Sequence, residues 1–251
     1  MRASWQKGDW ELECEPQGGR LTRVRWRGRD LLTRPHLPGG VFTPPDPRWG
    51  EYETRPVFGY DDCWPSLEVS AWPGRGRDVR DHGELCWRAW TFAATSEAFT
   101  ATATDPQGEW RFARVVSWVA GALRFAFHCV NTGAQPLAMT WAGHALTPAS
   151  GVRDLALPPC AAVRQEFPAA AALPATGVWS HLGGLPAGAA VMLVLVDCQA
   201  PVVEVTLDGL RWTLAVGGVQ RPALGLWYNR RGYPPGEGLA RDEFGVEWML
   251  T

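Results

Sequence analysis

Lysine is nearly missing from this chain: Lys7 is the only one, so almost all of its 24 basic residues are arginine. With Ala and Gly abundant, that reads as a compositional bias of the coding sequence rather than as special arginine chemistry. Net charge is scarce too, at −2, which gives no reason to expect a nucleic-acid or membrane partner. Long apolar runs are absent: none reaches the roughly 18 residues that a spanning helix needs. The opening, MRASWQKGDWELE, lacks the apolar segment of a secretory signal. These absences lead us to expect a soluble, cytoplasmic protein. Paired cysteines are missing as well. Cys14, Cys63, Cys86, Cys129, Cys160 and Cys198 are scattered with no C-x-x-C spacing, so neither a zinc knuckle nor a disulfide framework is indicated. They read as small buried hydrophobes.

A helical stripe is the last absence. No window of helical length repeats apolar residues at i, i+3, i+4 and i+7. The 28 Gly and 21 Pro instead punctuate short segments that read as strands, at 10–14, 21–26, 85–92, 99–104, 109–118, 123–131, 136–142, 191–196, 202–207, 210–216 and 223–228. Their spacing suits a sandwich or barrel. In 109–118, Trp110, Phe112, Arg114, Val116 and Trp118 share one face. Arg23, Arg25, Arg27 and Arg29 alternate with Val24 and Trp26, the pattern of a solvated outer face. There is no internal repeat, which argues against a propeller, and no break in composition, so one domain over residues 1–251 is expected. The fold class is all-β. The stretch 33–57, with six prolines, is either a loop that wraps a sheet end and walls a pocket or a surface excursion without a role.

Tryptophan is over-represented, with fifteen in the chain. Trp110 and Trp118 fall on alternating positions and read as core. Trp64, Trp72, Trp87, Trp90 and Trp227 lie among Gly, Pro, Asp, His and Arg, a setting that suits sugars, whose C–H faces pack on rings while their hydroxyls seek polar partners. Two histidines stand out. His82 lies in RDHGELCWRAW beside Asp81, and His144 ends the apolar run MTWAGHALTP. His128, inside LRFAFHCVN, reads as structural. His82 and Cys86 share spacing but supply only two ligands, too few for zinc, and a Cys–His hydrolase lacks an orienting third group. No metal or cofactor is expected. Glu247 lies in a last strand, EFGVEWMLT, with Phe244, Val246, Trp248 and Leu250 on the opposite face.

In order along the chain, GGRLTRVRWRGRDLL, GYDDCWPSL, DHGELCWRAW, EWRFARVVSW, FAFHCVNTGAQPLAMTWAGHALTP, GLWYNRRGYPP and GVEWMLT resemble the segments of the aldose 1-epimerase (galactose mutarotase-like) superfamily. The resemblance implies an antiparallel β-supersandwich with a sugar cleft across one sheet. It implies a glutamate that takes the proton of the anomeric hydroxyl, a histidine that protonates the ring oxygen and a second histidine that helps to bind it. By position these are Glu247, His144 and His82. Arg88, Asp62, Trp227, Trp64 and Asn229 are implied as substrate-binding residues. The implied reaction interconverts the α and β anomers of a hexose or related sugar without a cofactor, in a monomer or homodimer. Ala89, Ala145 and Trp248 stand where the family commonly has proline. A second reading therefore stays open: a carbohydrate-binding or sensing protein that keeps the cleft without turnover.

Overall fold

The computed structural model describes residues 2–36, 50–170, 173–174, 176–236 and 238–250. Residues 37–49, the larger part of the proline-rich stretch including Pro38, Pro44, Pro45 and Pro47, lie outside the described residues.

The first third of the chain forms β1 (Ala3–Lys7), β2 (Trp10–Cys14), β3 (Leu21–Trp26), β4 (Arg29–Asp30), the one-turn helix α1 (Gly50–Glu53), β5 (Tyr60–Cys63), β6 (Ser70–Trp72) and β7 (Arg77–Val79). Next come β8 (Trp90–Ala94), β9 (Ala98–Thr104), β10 (Trp110–Val119), β11 (Ala122–Asn131) and β12 (Trp141–Thr147). The remainder is β13 (Val152–Ala156), β14 (Ala162–Phe167), α2 (Val178–Gly183), β15 (Ala190–Val196), β16 (Val202–Leu207), β17 (Leu210–Ala215), β18 (Ala223–Arg230) and β19 (Asp242–Leu250).

A ten-stranded sheet runs β1-β2-β3-β5-β12-β19-β18-β15-β14, with β4 on β3. Every pairing in it is antiparallel. Two smaller antiparallel sheets, β11-β10-β9-β8 and β13-β16-β17, pack against it. Trp141 and Ala145 of β12 bury against Phe99, Trp110, Phe112 and Val116 of the four-stranded sheet. Phe244, Val246 and Trp248 of β19 bury against Val203, Val205 and Leu207 of the three-stranded sheet. Ala145 pairs directly with Val246, and directly opposed residues share a face, so both cores lie on the same face of the large sheet. This is the expected supersandwich, and it leaves the other face of the central strands to be covered separately.

Most strands follow the alternation in the sequence. In β10, Trp110, Phe112, Arg114 and Val116 are buried together, and Arg114, with no exposed surface, pairs with Asp62 at 2.6 Å. Arg23 and Arg25 point outward and pair with Glu13 and Glu11 across β2, while Arg27 turns the hairpin with a positive φ. Two expected strands differ. Residues 85–92 split into a 3₁₀ turn, Leu85–Trp87, and β8, because Leu85 and Cys86 are buried consecutively rather than alternately. The expected strand at 136–142 begins only at Trp141, beyond Pro136, which has no N–H for a ladder, and continues to Thr147. All seven residues of β12 are buried, so it carries no alternation to read. His128 faces outward on β11.

Candidate active site

The central strands set the site by register. On β5 and β12, Asp61 is opposite His144 and Asp62 is opposite Gly143. On β18 and β19, Gly225 is opposite Glu247, Trp227 opposite Gly245 and Asn229 opposite Glu243. Because Val246 and Ala145 face the cores, Glu247 and His144 face the other way, together with Asp61, Trp227 and Glu243.

There Oε1 of Glu247 lies 3.5 Å from Nε2 of His144. Both residues are buried, with 4% and 7% of their surfaces exposed. Among the described residues the Glu247 carboxylate makes no hydrogen bond, only this ion-pair-range contact. Glycines make the room for it. A methyl group on Gly245 would stand 3.0 Å from Glu247 Oε1 and 3.1 Å from Trp227 Cβ, and one on Gly225 would stand 3.3 Å from Glu247 Cβ. Burial pushes the Glu247 carboxyl up to about 7, a shift that His82 opposes and Glu243 reinforces. Burial and the neighbouring His82 push His144 down to about 3.

His82 arrives from the turn after β7 with a left-handed backbone, φ 56°. Residues held in that region cost roughly 1–3 kcal/mol and cluster at functional sites. Its half-buried ring is 5.4 Å from that of His144, centroid to centroid, and its Nδ1 lies 2.7 Å from Asp81 Oδ1. Burial disfavours its cation, but the hydrogen bond and charge of Asp81, with Glu247 and Glu53, raise its pKa above the ordinary value. The three residues expected to carry the chemistry therefore come together from three separate parts of the chain.

The expected binding residues divide. Trp227 lies half-buried on the site face, donates its Nε1–H to Glu243 at 2.8 Å and meets Phe167 and Tyr233 ring to ring. Asp62 faces the opposite way, since neighbours in a strand alternate. It accepts from Arg114, Tyr60 and Trp141 inside the first core. Trp64 is fully buried among Trp72, Trp110 and Phe112, and Trp72 and Trp90 are core as well. Asn229 is fully buried and satisfied: its Oδ1 accepts from Gly232 and Tyr233, and its Nδ2 donates to Tyr233 O and Glu243. It shapes a turn. Arg88 is ion-paired with Glu84 at 2.5 Å and lies 3.9 Å from Asp105, and none of its ion-pair partners is one of the three candidates.

Sequence reasoning passed over several neighbours of the site. Tyr52 on α1 lays its ring on His82, with centroids 3.9 Å apart and planes 11° apart, and sets its edge against His144. Its hydroxyl donates to Asp61 Oδ2 at 2.7 Å. Asp61 is clamped by Arg20, with Arg55 near by. Arg241 bridges Glu53 and Glu243, tying α1 to β19. Two cavities of about 410 Å³ each lie elsewhere. One is bordered by Arg20, Arg55, Phe58 and Trp87, the other by Gln165, Phe167, His181 and Val191, and neither is lined by Glu247, His144 or His82. Among the described residues, no group of three His, Cys, Asp or Glu side chains is placed to hold a metal ion, and no helix is long and apolar enough to cross a membrane.

No protein-family model and no curated protein matches the sequence. Solved structures do match the fold. A provisionally assigned aldose 1-epimerase from Escherichia coli K12 is 14% identical, with a TM-score of 0.68 over 99% of this chain and 87% of that one. A galactose mutarotase related enzyme from Lactobacillus acidophilus is 13% identical, with a TM-score of 0.63 over 99% and 85%. A galactose mutarotase-like protein from Lactobacillus casei ATCC 334 is 13% identical, with a TM-score of 0.63 over 99% and 87%. The chain thus has the galactose mutarotase-like fold.

Proposed function

We propose that this protein is an isomerase that interconverts the anomers of a free hexose or related sugar. The observation that carries the reading is the buried contact between Glu247 Oε1 and His144 Nε2, with His82 beside it. A carboxyl pushed up to about 7 next to an imidazole pushed down to about 3 is a pair that holds one proton between those limits. Anomer exchange needs one proton delivered and one removed. With the shared proton on His144 Nε2 and Glu247 ionised, His144 protonates the ring oxygen while Glu247 takes the proton of the anomeric hydroxyl. The C1–O5 bond breaks and the aldehyde forms. After rotation about C1–C2, closure on the other face returns both protons. The pair ends as it began, so no cofactor enters the balance. His82, whose cationic form Asp81 favours against the effect of burial, is placed to stabilise the electron density that builds on the ring oxygen. Trp227 offers the aromatic face. The working form is a single domain over residues 1–251, cytoplasmic and monomeric or homodimeric.

Polarimetry on freshly dissolved single anomers of a panel of aldoses tests this reading, which expects equilibration faster than buffer for at least one sugar and fails if none responds. A second reading, a carbohydrate-binding or sensing protein without turnover, draws on one observation: Tyr52 already covers the face of His82. It expects saturable quenching of tryptophan fluorescence by sugars with no gain in equilibration rate.

A further inference from the structure

The proton shared by Glu247 and His144 is useful only if it always sits on the same ring nitrogen. A neutral imidazole has two tautomers, and which one is present is set by the hydrogen bond at the other nitrogen. At His144 that other nitrogen, Nδ1, lies 3.4 Å from the hydroxyl of Tyr52.

The direction of this chain is fixed from its far end. Asp61 is fully buried, and burial alone would favour its neutral form. Arg20, through two hydrogen bonds to Oδ2 at 3.0 and 2.6 Å, and Arg55 nevertheless hold it well below the ordinary carboxylate range. An ionised carboxylate only accepts. Burial and the Asp61 charge also hold the Tyr52 phenol well above its ordinary pKa, so it keeps its proton and donates it to Asp61. What the phenol oxygen presents to His144 is then a lone pair, and the contact is satisfied only when Nδ1 carries hydrogen.

We propose that Tyr52, held by Asp61, is a positioning residue that keeps the His144 proton on Nδ1 and so leaves Nε2 as the one nitrogen that exchanges a proton with Glu247 and the substrate. The arrangement repeats the logic of a buried acid orienting a catalytic histidine, with a phenol inserted between acid and imidazole. The same residue is tied to the second histidine. Its backbone N–H donates to Asp81 Oδ2 at 3.1 Å, while Oδ1 of that carboxylate holds His82 Nδ1. One turn of chain thereby sets the orientation of both imidazoles. The role in turnover rests on the isomerase reading above; the tautomer does not.

The test is long-range ¹H–¹⁵N correlation on protein labelled with ¹⁵N-histidine, with the His144 signals assigned by their loss in His144→Gln. Expected for the wild type is an Nδ1 that stays protonated from about pH 5 to about 9 while the Nε2 shift alone moves with pH. Tyr52→Phe keeps the ring that stacks on His82 and removes only the hydroxyl. It is expected to release the Nδ1 proton to a mixture of tautomers, and to lower kcat for anomer exchange about tenfold or more with KM within about twofold. A wild-type His144 with bare Nδ1, or a pattern unchanged in Tyr52→Phe, overturns the proposal. The wild-type spectrum decides even if the variant fails to fold. If the tautomer behaves as expected but no sugar is equilibrated, the positioning of His144 stands and the isomerase reading falls.

Discussion

Glu247 Oε1 and His144 Nε2 face each other at 3.5 Å, although more than a hundred residues separate them along the chain. The contact follows from register: β12 and β19 pair with Ala145 against Val246, which turns the next residue of one strand and the preceding residue of the other to the same face. Removing either partner removes one end of the proton relay. Glu247→Gln and His144→Gln are each expected to lower anomer exchange by about 10²–10⁴-fold while leaving the circular dichroism spectrum unchanged. Exchange rates by NMR check both, and a variant with full activity excludes that residue from the chemistry.

The pH profile separates two distributions of the protons. If the pair works with one shared proton, kcat falls above about pH 7 as that proton is lost from the Glu247 side, and does not fall again until near pH 3. The groups that set these limits are His82 and Glu243 around Glu247, and His82, Asp61, Arg20 and Arg241 around His144. A rate that instead rises through pH 7 would make ionised Glu247 the base and His82 the acid.

The raised carboxyl also marks stability. A folded pKa above the unfolded one means that the folded state binds more protons between about 4.5 and about 7, so Glu247 costs stability as pH rises through that window. His144 acts oppositely: its folded pKa is lowered, and its contribution is lost as pH falls from about 6.5 toward about 3. Glu247→Gln removes the first effect, together with the smaller support that the Glu247 charge gives to the His82 cation. Its stability relative to wild type is expected to grow by on the order of 3 kcal/mol between pH 4.5 and pH 7, measured by urea unfolding. A difference that does not change with pH contradicts the shift.

Arg114 and Asp62 form a fully buried ion pair in the first core, 2.6 Å apart, where Asp62 also accepts from Tyr60 and Trp141. Breaking one half leaves an unpaired buried charge. Asp62→Leu or Arg114→Met alone is expected to cost about 3–5 kcal/mol, whereas the double variant recovers most of the loss. Thermal unfolding of the three variants checks this, and equal losses in single and double variants contradict it.

How far the sequence could be read follows from the same geometry. Alternation in β10 put Arg114 on one face with Trp110, Phe112 and Val116, and in β19 it put Glu247 opposite Phe244, Val246 and Trp248. Strand β12 was not legible, because burial on both faces erases the period of two. Asp61 and Asp62 show the limit most sharply. Adjacent strand residues must point to opposite faces, but nothing local says which face holds the site, and Asp62 proved to belong to the core. Trp64 and Asn229 show a similar limit, since an aromatic or amide next to turn residues looks the same whether it meets a ligand or is enclosed by protein, and both are fully buried. Tyr52 left no periodic trace; it meets both histidines directly, but only through tertiary contact far from them in the chain, where Asp61 and Asp81 hold it. Glu243 could have been found, because it lies four residues before Glu247 in one strand and therefore on the same face.

Two-dimensional exchange NMR on equilibrated aldoses, with wild-type protein and with Glu247→Gln, tests the central claim most directly. The account expects α-to-β cross-peaks to build up faster with wild type than in buffer for at least one sugar, and to return to the buffer rate with Glu247→Gln. Buffer rates for every sugar with the wild-type protein, or equal acceleration by the variant, would contradict it.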